Sequence, residues 1–184
     1  MKISIVGGGG RVGLPLGITL ALQGNVIRII DLDENRNEKI NNRIMPFKEI
    51  GAQELLSSLS VEQLEATTNN TDILNTDVCI LIIGTPVMDD GTPSAISLIS
   101  MVESLVPFLT HTKLLMLRST VFPGITRKIQ GVLKNANLDI EVAFCPERIA
   151  EGNAIKEIKN LPQIIGCDTN SAYSICEKLF SNIT

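Results

Sequence analysis

Short, predominantly apolar runs recur along this chain, and they constrain its fold more than any other feature. Residues 2–6, 25–30, 113–117 and 139–144 form four such runs, and 77–84, with Val78, Ile80, Leu81, Ile82 and Ile83, is the densest. A strand that is apolar throughout, instead of alternating, is one buried on both faces. Between these runs lie helical stretches: 10–23, with Val12, Leu14, Leu16, Ile18 and Leu20, then a polar 33–44, 97–109, 123–135 and 170–182. Asp168 or Thr169 is placed to cap the last. A short helix over 49–58 and weaker strands over 63–67 and 163–166 complete the pattern, with a polar turn over 67–72. Strands separated by helices of about 10–15 residues imply βαβ units and a parallel sheet. The expected fold is therefore a doubly wound, mostly parallel α/β sheet of Rossmann type with helices on both faces.

The chain's 184 residues suit one domain over 1–184, large enough to bury roughly 70% of its unfolded surface. Sixteen basic against twenty acidic residues leave a net charge of −4, which argues against a nucleic-acid partner. No apolar run approaches the ~20 residues that a bilayer span needs, so no membrane partner is expected. Only residues 3–6 separate Lys2 from a glycine cluster, too few for an export signal. Cys79, Cys145, Cys167 and Cys176 show no metal-binding spacing, and three of them sit beside apolar runs where a cysteine packs as a small hydrophobe. A reducing cytoplasm and no metal site are the expectation. The single histidine, His111, lies in a polar turn and reads as a surface residue.

Gly8-Gly9-Gly10-Arg11-Val12-Gly13 follows the first strand at once and opens the first helix. It fits GxGxxG, with Gly8 for the tight turn, Gly10 for backbone approach to a pyrophosphate and Gly13 for close helix packing. Backbone N–H groups at the helix start favour phosphate charge. The second strand ends at Asp31, whose carboxylate can accept from both adenosine ribose hydroxyls and repels a 2′-phosphate, favouring NAD. Arg36, five residues on, tempers that preference by stacking on adenine or meeting a phosphate. The simpler alternative is a plain turn, with Asp31 capping the next helix.

Three strands end in polar sequences at the edge where such sheets bind ligands. They are Gly84-Thr85-Pro86, Arg118-Ser119-Thr120-Val121-Phe122-Pro123-Gly124, and Cys145-Pro146-Glu147-Arg148-Ile149-Ala150-Glu151-Gly152. Singly, each has another reading: a turn, a Ser119 or Thr120 cap for the helix begun by Pro123, or a solvated Glu147–Arg148 pair. Together they point to a site.

These segments, in this order and with the strand–GxGxVGLP–helix of residues 8–15, resemble the UDP-glucose/GDP-mannose dehydrogenase family. The likeness runs the whole chain, which would correspond to the N-terminal NAD-binding part of such an enzyme. It implies oxidation of the C6 alcohol of a nucleotide sugar to a carboxylate by two NAD in succession. A cysteine-bound thioester is then hydrolysed by water. By the same resemblance Arg11, Val12, Asp31, Arg36 and Thr85 contact NAD, and Thr120 lies near the nicotinamide and helps hold a water. Glu147 does acid–base work on that water, Glu151 lies near the nicotinamide, and Arg148 with Ile149 contacts substrate.

Two departures stand out. Arg11 occupies a place that is commonly tyrosine in the family. The family's nucleophilic cysteine belongs to a glycine-rich motif matched by none of the four cysteines here, and Cys145 has no adjacent basic residue to lower its pKa. The chain alone is thus expected to be inactive, with connecting helix and substrate domain outside it; the family dimerises largely through that helix. Pro146-Glu147-Arg148 looks more like the UDP-N-acetylmannosamine branch than the UDP-glucose branch. UDP-glucose or GDP-mannose oxidation, an NAD-sensing regulatory domain and a hydroxyacid-type dehydrogenase stay open as alternatives, the last weakened by the lack of a histidine base.

Overall fold

The computed structural model describes residues 1–84, 96–181 and 183. Seven strands share one sheet: β1 (Lys2–Val6), β2 (Val26–Ile30), β3 (Leu64–Thr67), β4 (Val78–Leu81), β5 (Leu114–Leu117), β6 (Glu141–Phe144) and β7 (Gly166–Cys167). They lie in the order β3-β2-β1-β4-β5-β6-β7. Every pairing is parallel except β6 with β7, which is antiparallel. Strand order reverses at β1, and a crevice opens at the carboxyl ends of β1 and β4, where such folds bind ligands.

Side chains alternate across the sheet, and both faces are covered. Ile3, Ile5, Val78, Ile80, Leu114 and Met116 enter one core, with α1 (Gly13–Leu22), α3 (Ala52–Ser57), α6 (Ala154–Asn160) and α7 (Asn170–Phe180). Val6, Cys79, Leu81, Leu115 and Leu117 enter the other, with α4 (Ile96–Leu105) and α5 (Ile125–Asn135). A two-residue period with both faces buried is why these strands read as unbroken apolar runs. The doubly wound, mostly parallel fold expected from the sequence is the fold observed.

Several details differ from the expectation. Helix α6 was not anticipated, although Ala154, Ile155 and Ile158 form its buried stripe against α1. Strand β7 begins at Gly166, three residues later than expected, and is only two residues long. The polar stretch expected to be a turn over 67–72 leads into a 3-10 helix, Asn70–Asn75. Helix α2 (Glu34–Asn41) is capped by Asp33, which accepts from the Arg36 N–H at 3.0 Å, so Asp31 is not the cap. Helix α5 starts two residues after Pro123, behind Gly124 at φ 95°, with no side-chain cap. Ser119 and Thr120 therefore do not cap it.

Thr169 is the cap of α7, its hydroxyl accepting from the Ala172 N–H at 3.1 Å. Thr169→Ala is expected to cost about 1 kcal/mol. In a domain of this size that is a fall in Tm of about 2–4 °C, read by thermal melting.

Candidate active site

The chain reverses direction immediately after β1. Gly7 has φ +73°, and a Cβ there would stand 2.1 Å from the carbonyl oxygen of Ile82, just past the end of β4. The left-handed residue of the turn is thus Gly7, one position before the Gly8 to which the tight turn was assigned. A Cβ on Gly13 would meet Gly8 Cα at 2.5 Å, so the start of α1 rests directly on the turn. Gly10 is different: a Cβ there would meet nothing within 4 Å. Packing does not require that glycine, whereas a pyrophosphate approaching the backbone does. The α-helical ladder begins with Leu14 N–H to Gly10 O at 3.0 Å. The N–H groups of the first turn have no intrahelical partner and suit an anion.

Asp31 faces this turn. Its Oδ2 accepts the Gly9 N–H at 2.9 Å, and its carboxylate meets Arg36 Nη1 at 3.4 Å. The same guanidinium reaches Asp33 at 3.2 Å. Two carboxylates therefore share one arginine, which leaves it poorly placed to welcome the extra phosphate of NADP. A cavity of about 260 Å³ opens beside Asp31, walled by Ile30, Leu32, Ile83 and Met101. Leu32 is 86% exposed and packs against little of the protein; it offers an apolar wall to a flat ring such as adenine. Both the turn and this cavity fit a dinucleotide. A larger groove of about 450 Å³, lined by Val121, Phe122, Phe144 and Cys167 beside α5, includes neither the glycine turn nor Glu147.

The strand-end segments lie side by side, because ladder hydrogen bonds run on past the strands. Ile82 N–H bonds to Val6 O at 2.9 Å, Arg118 N–H to Leu81 O at 3.0 Å and Cys145 N–H to Leu117 O at 2.8 Å. Ser119 is buried and its hydroxyl accepts the Ile83 N–H at 2.7 Å, fastening the end of β4 to the end of β5. Thr120 follows it and is exposed. Thr85 lies outside the described residues.

Glu147 is not a solvated partner of Arg148. Its Oε2 accepts from the guanidinium of Arg118, whose side chain is fully buried. Its Oε1 accepts the N–H groups of Arg148 at 2.8 Å and Ile149 at 3.2 Å. Arg118 also donates to Gln163 Oε1 at 3.0 Å and stands over the Phe180 ring, 5.4 Å from its centroid. The Arg148 guanidinium turns instead to the Pro162 carbonyl, and Ile149 packs on the first core.

Arg11 and Glu151, from opposite ends of the sequence, form an ion pair at 3.5 Å. The Arg11 guanidinium also lies over Phe47, 5.2 Å from the ring centroid. Buried Glu49 accepts the Gly152 N–H at 3.1 Å, holding the Glu151 loop against the segment around Phe47. Val12 is the N-cap residue of α1.

The cysteines behave mainly as core. Cys79, Cys145 and Cys176 are buried, none of the four is in a disulfide, and burial pushes the Cys79 thiol up to about 12. Cys145 lies 4.0 Å from Cys176. The Cys176 thiol draws that of Cys145 downward, burial opposes it, and the Arg118 guanidinium assists. Cys145 thus has a basic neighbour that adjacency in sequence does not reveal, supplied across the sheet from the end of β5. His111 is exposed, as expected.

Arg118, Gly7, Phe47 and Glu49 were not assigned roles from the sequence. A signal existed for Arg118: it is the charge that ends a wholly buried strand, Leu114–Leu117. A guanidinium entering a core needs a carboxylate partner, and Glu147 lies three residues past the neighbouring strand, Glu141–Phe144. For Glu49, which meets Gly152 across 103 residues, no local signal exists.

A parallel sheet with a glycine turn at its switch point, an acid after the second strand and an open apolar cavity beside it defines an NAD-binding α/β domain. Over residues 1–184 the chain matches the UDP-glucose/GDP-mannose dehydrogenase family, NAD binding domain, and it belongs to that family. It is 30% identical over 190 residues to the UDP-N-acetyl-D-mannosamine dehydrogenase of Methanococcus aeolicus, covering 98% of this chain and 42% of the relative. It is 27% identical over 187 residues to the UDP-glucose 6-dehydrogenase of Rickettsia bellii, covering 100% of this chain and 43% of the relative. Among solved structures, the UDP-D-ManNAc dehydrogenase of Pyrococcus horikoshii superposes with a TM-score of 0.90 at 28% identity, over 100% of this chain and 45% of that one. The chain therefore spans less than half the length of the relatives it matches. No helix among the described residues is long and apolar enough to cross a membrane.

Proposed function

We propose that this chain is the NAD-binding part of a nucleotide-sugar 6-dehydrogenase that oxidises the sugar C6 alcohol to a carboxylate with two NAD. UDP-N-acetylmannosamine is the proposed substrate. The observation that carries the reading is the fixed Glu147 carboxylate on the same carboxyl edge of the sheet as the glycine turn. Four inter-strand steps of roughly 4.8 Å separate the strands before Asp31 and Glu147, room for a dinucleotide laid along the edge.

Bound NAD supplies a hydride acceptor. The chain's own residues bind the cofactor and handle the hydrolytic water. The N–H groups opening α1 hold the pyrophosphate, with Arg11 beside it, and Asp31 holds the adenosine ribose. Glu147 takes and returns a proton of the hydrolytic water, which Thr120 orients; both are the proposed catalytic groups. Glu151 borders the nicotinamide end, and Arg148 and Ile149 border the sugar nucleotide. The nucleophilic cysteine belongs to the protein that carries this domain and not to the four cysteines here, which are packed or edge residues. Four unpaired thiols suit a reducing, cytoplasmic setting. The Methanococcus aeolicus relative supports the choice of sugar, and the Rickettsia bellii relative makes UDP-glucose the second candidate.

The test is the initial rate of NADH formation by the protein carrying this domain, with UDP-N-acetylmannosamine, UDP-glucose and GDP-mannose. The first should be fastest, with two NADH per sugar; a higher rate on UDP-glucose overturns the sugar assignment. Glu147→Gln should lower kcat by about 10²–10⁴ while leaving NAD affinity unchanged. NAD binding without oxidation of any sugar would favour a sensing domain.

A further inference from the structure

Among the described residues Arg118 is the largest fully buried side chain, and it is a cation. A buried ion pair often contributes no more to stability than well-packed apolar side chains of similar volume, once desolvation is counted. Its Nε, moreover, has no hydrogen-bond partner among the described residues. Stability alone therefore gives no reason for an arginine here. The contacts do. Gln163 precedes β7 and Phe180 ends α7, and both meet the guanidinium, one by a hydrogen bond and the other by its ring. Gln163 is itself fixed, its amide donating to the Leu161 carbonyl at 3.2 Å. The Arg118 Nη2 donates to Glu147 Oε2.

We propose that Arg118 is a positioning residue: it fixes the direction in which Glu147 presents its carboxylate. The inference rests on the reading of Glu147 as the acid–base group. Two backbone N–H groups hold one carboxylate oxygen and Arg118 holds the other, so rotation about the terminal bond is blocked at both ends. Lysine is a poor substitute, since a single ammonium does not reproduce a planar fork engaged by Glu147 and Gln163 together.

The experiment is a double-mutant cycle on the protein carrying this domain, using Arg118→Met, Glu147→Gln and the double variant. The readouts are kcat and KM for the nucleotide sugar, NAD affinity and Tm. Arg118→Met is expected to lower kcat about tenfold or more, with KM and NAD affinity within about twofold. In the Glu147→Gln background it should have no further effect, because a residue acting through Glu147 has nothing left to position. Arg118→Lys should recover part of kcat. If Arg118→Met does not fold, Arg118→Lys and Gln163→Ala enter the same cycle, each with a smaller loss that vanishes beside Glu147→Gln.

Losses that multiply in the double variant, or that track Tm alone, overturn the positioning role while leaving Glu147 in place. An unchanged kcat in Glu147→Gln itself removes the acid–base reading, and the proposal falls with it. The two failures are thus told apart by the single variant.

Discussion

Gly7→Ala is expected to lose measurable NAD binding and to lower Tm by about 4–20 °C. Its Cβ would lie 2.1 Å from the Ile82 carbonyl oxygen and 3.1 Å from the Ile82 carbonyl carbon, both backbone atoms that no rotamer change can move. The Ile82 N–H is meanwhile bonded to Val6 O at 2.9 Å, so β1 and β4 cannot part without breaking the centre of the sheet. A side chain at φ +73° adds about 1–2 kcal/mol, and overpacking adds about 1–3 kcal/mol more. Each kcal/mol lowers Tm by about 2–4 °C in a domain of this length. Gly10→Ala is the control. Its Cβ would enter open space, so the melt should be nearly unchanged while NAD binding weakens. Equal stability losses at the two positions would contradict this account of the turn.

Asp31→Ala is expected to weaken NAD by about 1–3 kcal/mol through loss of charge-assisted hydrogen bonds to the ribose. That is about 5- to 150-fold in Kd. The carboxylate also holds the Gly9 N–H at 2.9 Å and one side of Arg36, so the turn loses an anchor at the same time. Asp31→Asn retains an acceptor for Gly9 and removes the charge, and it should fall between wild type and Asp31→Ala. The variants also free Arg36 from half of its ion pairing, leaving Asp33 alone. NADP should therefore gain relative to NAD in both. Isothermal titration with the two cofactors reads these changes, and equal NAD affinity in all three proteins would contradict the role of Asp31.

The fold was legible because its strands are buried on both faces. Residues such as Val78, Cys79, Ile80 and Leu81 are all fully buried, so their apolar run could be read without knowing the partners. The glycine turn was legible for the same local reason: β1, turn and α1 are contiguous in the chain. Helix α6 and strand β7 are stabilised by packing on α1 and β6, elements distant in sequence, and neither is long enough to show a period of its own.

The site was legible as segments but not as contacts. Glu147 is legible, yet its holder Arg118 lies 29 residues away, directly after the neighbouring strand. Arg11 and Glu151 were both named, and only the parallel sheet brings their charges to 3.5 Å. Phe47 and Glu49 joined the site through a loop whose sequence carries no motif. Such pairs arise from strand order, which no local pattern encodes.

The proposed hold on NAD at the carboxyl edge of this sheet joins the glycine turn, at the pyrophosphate, to Asp31, at the adenosine ribose. It is tested most directly by titrating the 184-residue chain with NAD and with NADP in a calorimeter. Saturable one-site binding of NAD, with NADP weaker by about tenfold or more, is the predicted result. Equal or tighter binding of NADP, or no saturable NAD binding by a chain whose melt shows it folded, would contradict it.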